Sequence, residues 1–248
     1  MTPARLRLAF IVAAVAALEI LCRTGIIPLI TMIAPSAMVR ALYEVLASGK
    51  FNRDIAATLA NVSASIAAAM LVGVALGTAL QGLGAVRRVL DPLFATWYAI
   101  PIYAFYPLLI VILGLGELPQ IAIGFLLAVM AVILNTLNGL DRVPPVLLKA
   151  ARSHRLGALA TAFKVRLPCA APYLFAGFRL AVAYSFIGVI GAEFITSSRG
   201  IGYEISYAYN NFDNRVMYAM ILFILALVVA VNMSLHVWEL RLLARRQR

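Results

Sequence analysis

Six long apolar segments constrain the fold of this chain more than any other feature of its sequence. They cover roughly residues 6–30, 58–81, 92–115, 119–138, 169–192 and 214–240. Runs of about 18 or more apolar residues are typical of transmembrane helices. With 64% hydrophobic and 12% charged residues, the 248-residue chain carries more apolar surface than a soluble domain can bury. We therefore expect an all-α, polytopic membrane protein with about six transmembrane helices, organised as a single domain over residues 1–248.

Basic residues are distributed unevenly between the two sides of this six-span arrangement. The chain has 21 Lys and Arg and a net charge of +11. With both termini in the cytoplasm, 14 of these 21 basic residues fall on cytoplasmic segments: Arg5, Arg7, Arg87, Arg88, Arg142, Lys149, Arg152, Arg155, Lys164, Arg166, Arg241, Arg245, Arg246 and Arg248. The outer segments carry five: Arg40, Lys50, Arg53, Arg199 and Arg215. This excess predicts cytoplasmic termini, and it favours contact with membrane lipid over a nucleic-acid partner.

Small residues and prolines predict where the helices pack closely and where they bend. Gly73 and Gly77 in the second span have a spacing that lets two helix backbones approach each other. Pro101 and Pro107 in the third span each remove a backbone hydrogen bond and can bend the helix. Outside the spans, Pro35-Ser36 predicts the start of an amphipathic helix at the outer interface.

Ionisable groups within the spans are expected to face protein or water, because burying a charge in lipid is costly. Arg179 and Glu193 are 14 residues apart, roughly 21 Å along one helix, so they cannot pair with each other. We expect Arg179 to contact another helix. Glu193 is expected to hold the outer segment 197–203, and a direct contact with a transported solute stays open for it. The residues that could line a translocation path are Tyr98, Tyr103, Tyr106, Asn135, Tyr184, Ser185 and Glu193.

Nothing in the sequence indicates catalysis, a metal site or a nucleotide site. His154 and His236 have no nucleophile or carboxylate arranged with them, and Cys22 and Cys169 show no disulfide or metal framework. The sequence also lacks a Gly-x-x-x-x-Gly-Lys-Ser/Thr phosphate loop. We therefore expect a chain that is not an enzyme and binds no cofactor directly.

A polar, basic stretch between the fourth and fifth spans, about residues 140–168, is the candidate for contact with a partner. Its residues from Lys149 to about Ala162 favour helix, and Leu156, Leu159 and Phe163 can share one face. We expect one helix over residues 150–163, in which small Ala150 and Ala151 allow close approach. Two interpretations remain at this point: a helix docked on another protein, or an amphipathic helix on lipid headgroups.

This stretch resembles the cytoplasmic coupling loop of ABC-importer permeases, whose pattern is Glu-Ala-Ala, three residues, Gly, nine residues and Ile-x-Leu-Pro. Lys149 stands in place of Glu and Arg155 in place of Gly, and a glycine follows two positions later. The residues in register are Ala150, Ala151, Val165, Leu167 and Pro168. Other segments resemble the nitrate/sulfonate/taurine branch of this family in the same order: Asp91-Pro-Leu93, Ile100-Pro-Ile-Tyr103, Leu113-Gly-Leu-Gly-Glu117, Leu134-Asn-Thr-Leu-Asn-Gly139 and Ser197-Ser-Arg-Gly-Ile-Gly-Tyr203.

The resemblance implies the type I ABC-importer permease fold and a pore-forming subunit in the bacterial inner membrane. ATP and Mg²⁺ would bind to separate ABC ATPase subunits. The other implied partners are a periplasmic or lipid-anchored substrate-binding protein and a second permease copy, identical or different. The solute would be a small organic anion or an oxyanion. The ATPase-coupling residues implied are Lys149, Ala150, Ala151, Arg152, Arg155, Leu156, Gly157, Leu167 and Pro168.

Alternative functions stay open from the sequence. An autonomous secondary transporter or channel would need an acidic relay or an inverted repeat, and neither is visible. An ABC permease for a vitamin precursor would share the same motifs. The sequence decides neither the solute nor whether the two permease copies are identical.

Overall fold

The computed structural model describes residues 3–246, in which the regular secondary structure is helical throughout. Eleven α-helices occur in this described part, joined by short turns, two 3₁₀ turns and one π-helical turn. In chain order they are α1 (Pro3–Arg23), α2 (Pro35–Ser48), α3 (Asn52–Gly82), α4 (Gly84–Thr96), α5 (Tyr106–Leu113), α6 (Glu117–Asp141), α7 (Pro145–Ser153), α8 (Ala158–Thr161), α9 (Leu167–Thr196), α10 (Ile201–Asn210) and α11 (Asn214–Arg246). The predicted all-α class is confirmed.

Four helical stretches among the described residues are long and apolar enough to cross a membrane. They are α3, α6, the stretch Ala158–Thr196 that includes α9, and Asn214–Glu239 of α11. They coincide with the second, fourth, fifth and sixth predicted spans. The first predicted span, 6–30, is wrong in its extent because α1 ends at Arg23. Any 18-residue window of α1 holds three charged residues, and α1 is not among the four.

The third predicted span, 92–115, is not one continuous helix. The chain forms α4, 3₁₀ turns at Trp97–Ala99 and Ile102–Phe105, and then α5. Pro101 lies between the two 3₁₀ turns, as expected of a residue that lacks an N–H and cannot continue a helix. The two halves form a strongly bent pair that would be a fifth crossing if counted as one span.

The described residues form two compact units, one of residues up to 57 with 193–229, and one of residues 58–192 with those from 230 onward. The single domain over 1–248 stays a prediction. In the larger unit, α6 is the most buried of the four long apolar stretches. Its core side chains include Val129, Val132 and Leu137, packed with Ala69 of α3 and Ala181 of α9.

Glycines bring the helices of this unit into close contact. A Cβ at Gly73 would lie 2.6 Å from Cβ of Val132, and a Cβ at Gly77 would lie 2.7 Å from Cβ of Thr136. The predicted tight contact of Gly73 and Gly77 is confirmed, and its partner is α6. On α9, a Cβ at Gly188 would lie 2.5 Å from Cα of Gly124. Small residues therefore place α6 between α3 and α9.

Two hydrogen bonds fix the α3–α6 contact in the N-terminal halves of the two helices. The side-chain amide of Asn61 donates to Oε1 of Gln120 over 3.0 Å, with both residues buried. The hydroxyl of Ser65 lies 3.0 Å from the carbonyl oxygen of Ile121, which accepts its hydrogen bond. A buried polar group without a partner is costly, so these pairs favour one register of the two helices.

The smaller unit packs α10 on the first half of α11. Its core contains Phe51, Ile201, Ile205 and Met220. The helix predicted to start at Pro35-Ser36 is confirmed as α2, and Gly49 caps its end with a φ of +65°. A glycine adopts this left-handed conformation at little cost. The location of α2 at the outer membrane interface stays a prediction.

Polar contacts tie the segment before α2 to its neighbours. Glu19 accepts a hydrogen bond from Nε of Arg23 over 2.5 Å and another from the hydroxyl of Ser36 over 2.6 Å. The side-chain amide of Asn214 donates to the carbonyl oxygens of Leu29 and Ile30. Glu19 therefore anchors the end of α1 to the start of α2.

Replacement of Gly73 or Gly77 by Leu should destabilise the protein, because atoms of the added side chain would lie closer to α6 than van der Waals contact allows. Overpacking of this kind costs about 1–3 kcal/mol. The measurement is the thermal unfolding midpoint of the purified protein in detergent. Gly82→Leu in the same helix is the matched control, since a Cβ there meets nothing within 4 Å. Equal midpoints for all three variants would show that α3 does not contact α6 through these glycines.

Candidate functional site

The segment from 140 to 168 folds as two helical pieces separated by a break. α7 ends at Ser153, and α8 starts at Ala158 and runs directly into a π-helical turn at Ala162–Arg166. The predicted single helix over residues 150–163 is therefore wrong. Leu167 and Pro168 are the first residues of α9, which continues directly from the π-helical turn.

The break lies at residues that sequence reasoning had placed inside a helix. Arg155 has a φ of +51°, a left-handed conformation that commonly ends helices. The N–H of Leu156 donates to the carbonyl oxygen of Ala151 over 3.0 Å, which completes the end of α7. Gly157 then adopts extended backbone immediately before α8. The signal that could have found this break was Gly157, which is a poor helix former.

α7 has one face against its own chain and one face exposed. Ala151 is 4% exposed, so it packs within the chain and does not reach a partner surface in this state. Ala150, Lys149 and Arg152 are exposed, as is Val146, one turn before Ala150. The expectation that Ala150 and Ala151 both approach a partner is thus corrected: only Ala150 is available. The exposed face is small and apolar, flanked by two cations.

The other predicted coupling residues differ in exposure. Arg155, Gly157 and Pro168 are exposed, and Leu156 and Leu167 are half-buried. Within residues 3–246, no carboxylate forms an ion pair with Lys149, Arg152 or Arg155. This segment therefore presents uncompensated positive charge.

A bidentate ion pair fixes the point where the chain enters this segment. Nη1 and Nη2 of Arg87, on α4, donate to the two carboxylate oxygens of Asp141 over 2.8 and 2.7 Å. The side-chain amide of Gln81 donates to Asp141 over 3.0 Å. Paired hydrogen bonds of this kind set direction as well as distance. Sequence reasoning missed the pair, because a separation of 54 positions along the chain gives no local signal.

Aromatic and amide groups predicted to line a path lie in the larger unit. The rings of Tyr98 and Tyr184 are stacked, with centroids 5.3 Å apart. The hydroxyl of Tyr103 donates to the carbonyl oxygen of Ile187 over 2.5 Å. The side-chain amide of Asn135 donates to the carbonyl oxygen of Ala131 over 2.8 Å. The structure brings Tyr98 and Tyr184 together, and their contact with a solute stays a prediction.

Three of the predicted path residues are buried inside the chain. Tyr106, Ser185 and Glu193 are at most 2% exposed. Tyr106 packs in a small core with Ile102 and Ile123. The hydroxyl of Ser185 has no hydrogen-bond partner among the described residues. Burial favours packing roles over direct solute contact for these residues in this conformation, and a path role stays a prediction.

Glu193 holds the start of α10. Its Oε2 accepts a hydrogen bond from the N–H of Gly202 over 3.0 Å, which confirms the predicted contact with segment 197–203. The N–H of Gly200 donates to Oδ1 of Asp54 over 3.0 Å. Gly200 has a φ of +109°, and a Cβ there would collide with the Glu193 carboxyl group. Glycine is therefore required at this position by both backbone conformation and space.

A third carboxylate, Glu204, lies in the first turn of α10. Burial raises the pKa of Glu204, the nearby carboxylate of Asp54 raises it further, and the ammonium group of Lys50 lowers it. Negative charge is favoured at a helix N-terminus, which suits the placement of Glu204. Across residues 3–246, no group of three or more His, Cys, Asp or Glu is arranged to hold a metal ion.

Arg179 contacts another helix, as predicted. Its Nη1 lies 3.1 Å from Oε2 of Glu239, so the pair joins α9 to α11. His236 lies 3.9 Å from the same carboxylate. Glu239 was not identified from the sequence, because it lies near the end of the last span among basic residues.

Glu193→Ala should loosen the start of α10, because the N–H of Gly202 loses its acceptor in a buried place. Such a loss costs about 1–3 kcal/mol, which corresponds to between about 5-fold and 150-fold faster opening. Hydrogen exchange of the amides of residues 200–204 measures it. Glu193→Gln keeps a side-chain oxygen and is the control that should retain protection. Unchanged exchange in the alanine variant would show that Glu193 does not hold α10.

Comparisons with known proteins agree with the geometry described above. This chain is 30% identical over 171 residues to the nitrate import permease protein NrtB of Leptolyngbya laminosa. It is 28% identical over 190 residues to the taurine transport system permease protein TauC of Escherichia coli K12. It is 31% identical over 187 residues to the bicarbonate transport system permease protein CmpB of Synechococcus elongatus. These matches cover 69%, 77% and 73% of this chain, and 61%, 69% and 67% of the relatives. The match thus spans less than two thirds of NrtB.

A solved structure and a family model extend these similarities. A chain of the MetNI methionine ABC transporter superimposes with a TM-score of 0.66 at 20% identity, covering 76% of this chain and 94% of that one. The predicted type I ABC-importer permease fold is confirmed by this match. The family model described as "binding-protein-dependent transport system inner membrane component" matches residues 69–248. The chain therefore belongs to the family of binding-protein-dependent transport system inner membrane components.

Proposed function

We propose that this chain is the transmembrane permease subunit of an ATP-driven importer for a small organic anion or an oxyanion. The observation that carries the proposal is the exposed face of α7, which presents Ala150 between unpaired Lys149 and Arg152 in the part of the chain that the family model covers. A small apolar face flanked by cations suits insertion into a groove of another protein better than it suits open solvent.

Coupling to ATP hydrolysis would pass through this segment. ATP and Mg²⁺ would bind to a separate ABC ATPase, and the chain itself would supply only the mechanical contact. The Arg87–Asp141 pair supports this role, since it holds the end of α6 against α4 where the segment begins. A force applied to α7 would reach α6, which lies between α3 and α9.

Charge on α7 suggests the chemistry of the docking groove. Lys149 takes the position of an acidic residue in the pattern of related permeases, so an acidic rim on the partner ATPase would complement it. A pair of different permeases, in which the other copy keeps the acidic residue, is the alternative arrangement. Both fit a dimer of permease subunits with two ATPases on the cytoplasmic side and a binding protein on the outer side.

The names of the relatives support an anionic solute. The proteins named above are permeases for nitrate, taurine and bicarbonate. Among the path candidates, the stacked Tyr98 and Tyr184 and the second N–H of the Asn135 amide can donate hydrogen bonds to an anion. The hydroxyl of Tyr103 already donates to the carbonyl oxygen of Ile187. A vitamin precursor remains the alternative solute within the same fold.

The proposed orientation predicts which residues reagents can reach from outside the cell. In a background with Cys22 and Cys169 replaced by Ala, a membrane-impermeant maleimide should label Lys50→Cys in intact cells. It should label Arg152→Cys only after permeabilisation. Both positions are exposed, so access to the side chain itself is not limiting. The reverse pattern would overturn the orientation and the coupling role of α7 together.

Ala150→Glu should disrupt coupling, because it places a bulky, unpaired charge in the proposed contact. A buried unpaired charge costs about 3 kcal/mol, which corresponds to about a hundredfold weaker binding. The measurements are co-purification of the ABC ATPase with the tagged chain and ATP hydrolysis after reconstitution with the binding protein. Nitrate, bicarbonate and taurine, supplied one at a time, test which class of anion stimulates hydrolysis.

The matched control is Ala85→Glu, the same change at an exposed position on α4. It should leave both co-purification and hydrolysis close to the unaltered protein. Unaltered co-purification and stimulation in Ala150→Glu would show that α7 is not the docking helix. Because Ala150 is exposed, Ala150→Glu should leave the fold intact, and the thermal midpoint measured in the same samples checks this.

A further inference from the structure

An open apolar groove lies between α3 and the helical piece that follows the break in the 140–168 segment. It has a volume of about 880 Å³. One wall is a stripe of α3 that includes Leu71, Ala75 and Thr78, and the other wall includes Leu159, Phe163 and Arg166. Leu71, Leu159 and Phe163 are each more than two thirds exposed. The groove is therefore lined by apolar side chains that nothing in the described chain covers.

The groove is long enough to hold an acyl chain across one leaflet of a bilayer. Its wall on α3 runs from Ala67 to Gly82, a distance of roughly 22 Å at the rise of an α-helix. One half of a bilayer's hydrocarbon core is about 15 Å thick. Both walls belong to stretches that are long and apolar enough to cross a membrane. An acyl chain can therefore lie along the groove with its headgroup at one end.

One charged group, Arg166, lines this otherwise apolar space. Arg166 is half-buried, and no carboxylate among residues 3–246 forms an ion pair with it. Asp141, at the end of α6, is already bound by Arg87 and Gln81. A cation beside an apolar groove is complementary to a ligand that combines an anionic group with apolar chains.

We propose that this groove binds an anionic phospholipid, with the phosphate on Arg166 and an acyl chain along α3. A guanidinium group and a phosphate form paired, charge-assisted hydrogen bonds. Basic pockets between transmembrane helices on the cytoplasmic side are suited to anionic headgroups. The site is distinct from the exposed face of α7 and does not depend on ATPase docking.

The full-length chain, purified in detergent, is titrated with phosphatidylglycerol or phosphatidylcholine of the same acyl chains, and bound lipid is counted by native mass spectrometry. One cation near an anionic headgroup contributes about 1 kcal/mol, so phosphatidylglycerol should bind about fivefold more tightly. Arg166→Gln should remove this preference. Lys164→Gln, which changes an exposed cation in the same π-helical turn that does not line the groove, is the matched control and should keep it.

A second variant tests the groove itself. Ala75→Trp fills the space from an exposed position of α3 and should lower retention of both lipids while the thermal midpoint stays unchanged. Equal binding of the two lipids, or a preference that survives Arg166→Gln, would overturn the headgroup assignment. Retention of lipid in Ala75→Trp would overturn the groove as the site. Conversion of a dimer to a monomer by Ala75→Trp, with lipid retention unchanged, would assign the groove to a second permease copy instead.

Discussion

The close approach of α3 and α6 is the contact on which the larger unit depends. Gly73 and Gly77 let the backbone of α3 lie directly against Val132 and Thr136, and no other residue type leaves enough space at these positions. Helices in a membrane gain little from the hydrophobic effect on association, so van der Waals contact at short range has to supply the attraction. Because α9 also meets α6 at close range, through Gly188 against Gly124, α6 becomes the buried centre of this unit.

Close packing around α6 gives segment 140–168 a fixed origin. Asp141, the last residue of α6, is held by two hydrogen bonds from Arg87, and the next helix, α7, starts four residues later. α7 then buries Ala151 and exposes Ala150 with its flanking cations. A partner that binds the exposed face of α7 would act on α6 through the short segment between Asp141 and Pro145, whose first residue is held by Arg87. The smaller unit has its own anchor, since Glu193 and Asp54 accept the N–H groups of Gly202 and Gly200 at the start of α10.

The sequence predicted correctly those contacts that depend on a local pattern of residues. The glycine pair at 73 and 77 identified a tight contact, and Glu193 was correctly expected to hold segment 197–203. It failed where geometry depends on distant residues. The break between Ser153 and Ala158 requires a left-handed Arg155, and the placement of Ala151 inward follows from tertiary packing. From the sequence, Arg87 was only one of the basic residues of the cytoplasmic segments, and its partner Asp141 lies 54 residues away.

The sequence by itself determined the helical membrane class, the positions of four long apolar stretches, the bend at Pro101 and the family resemblance, because hydrophobicity, proline geometry and motif spacing are local properties. Only the tertiary structure decided that Gly73 and Gly77 face Val132 and Thr136, that Arg179 pairs with Glu239, and that Ala150 rather than Ala151 is available to a partner. The physical reason is that burial and pairing depend on which helix faces meet. A periodic pattern specifies that a face exists, and packing alone selects its partner.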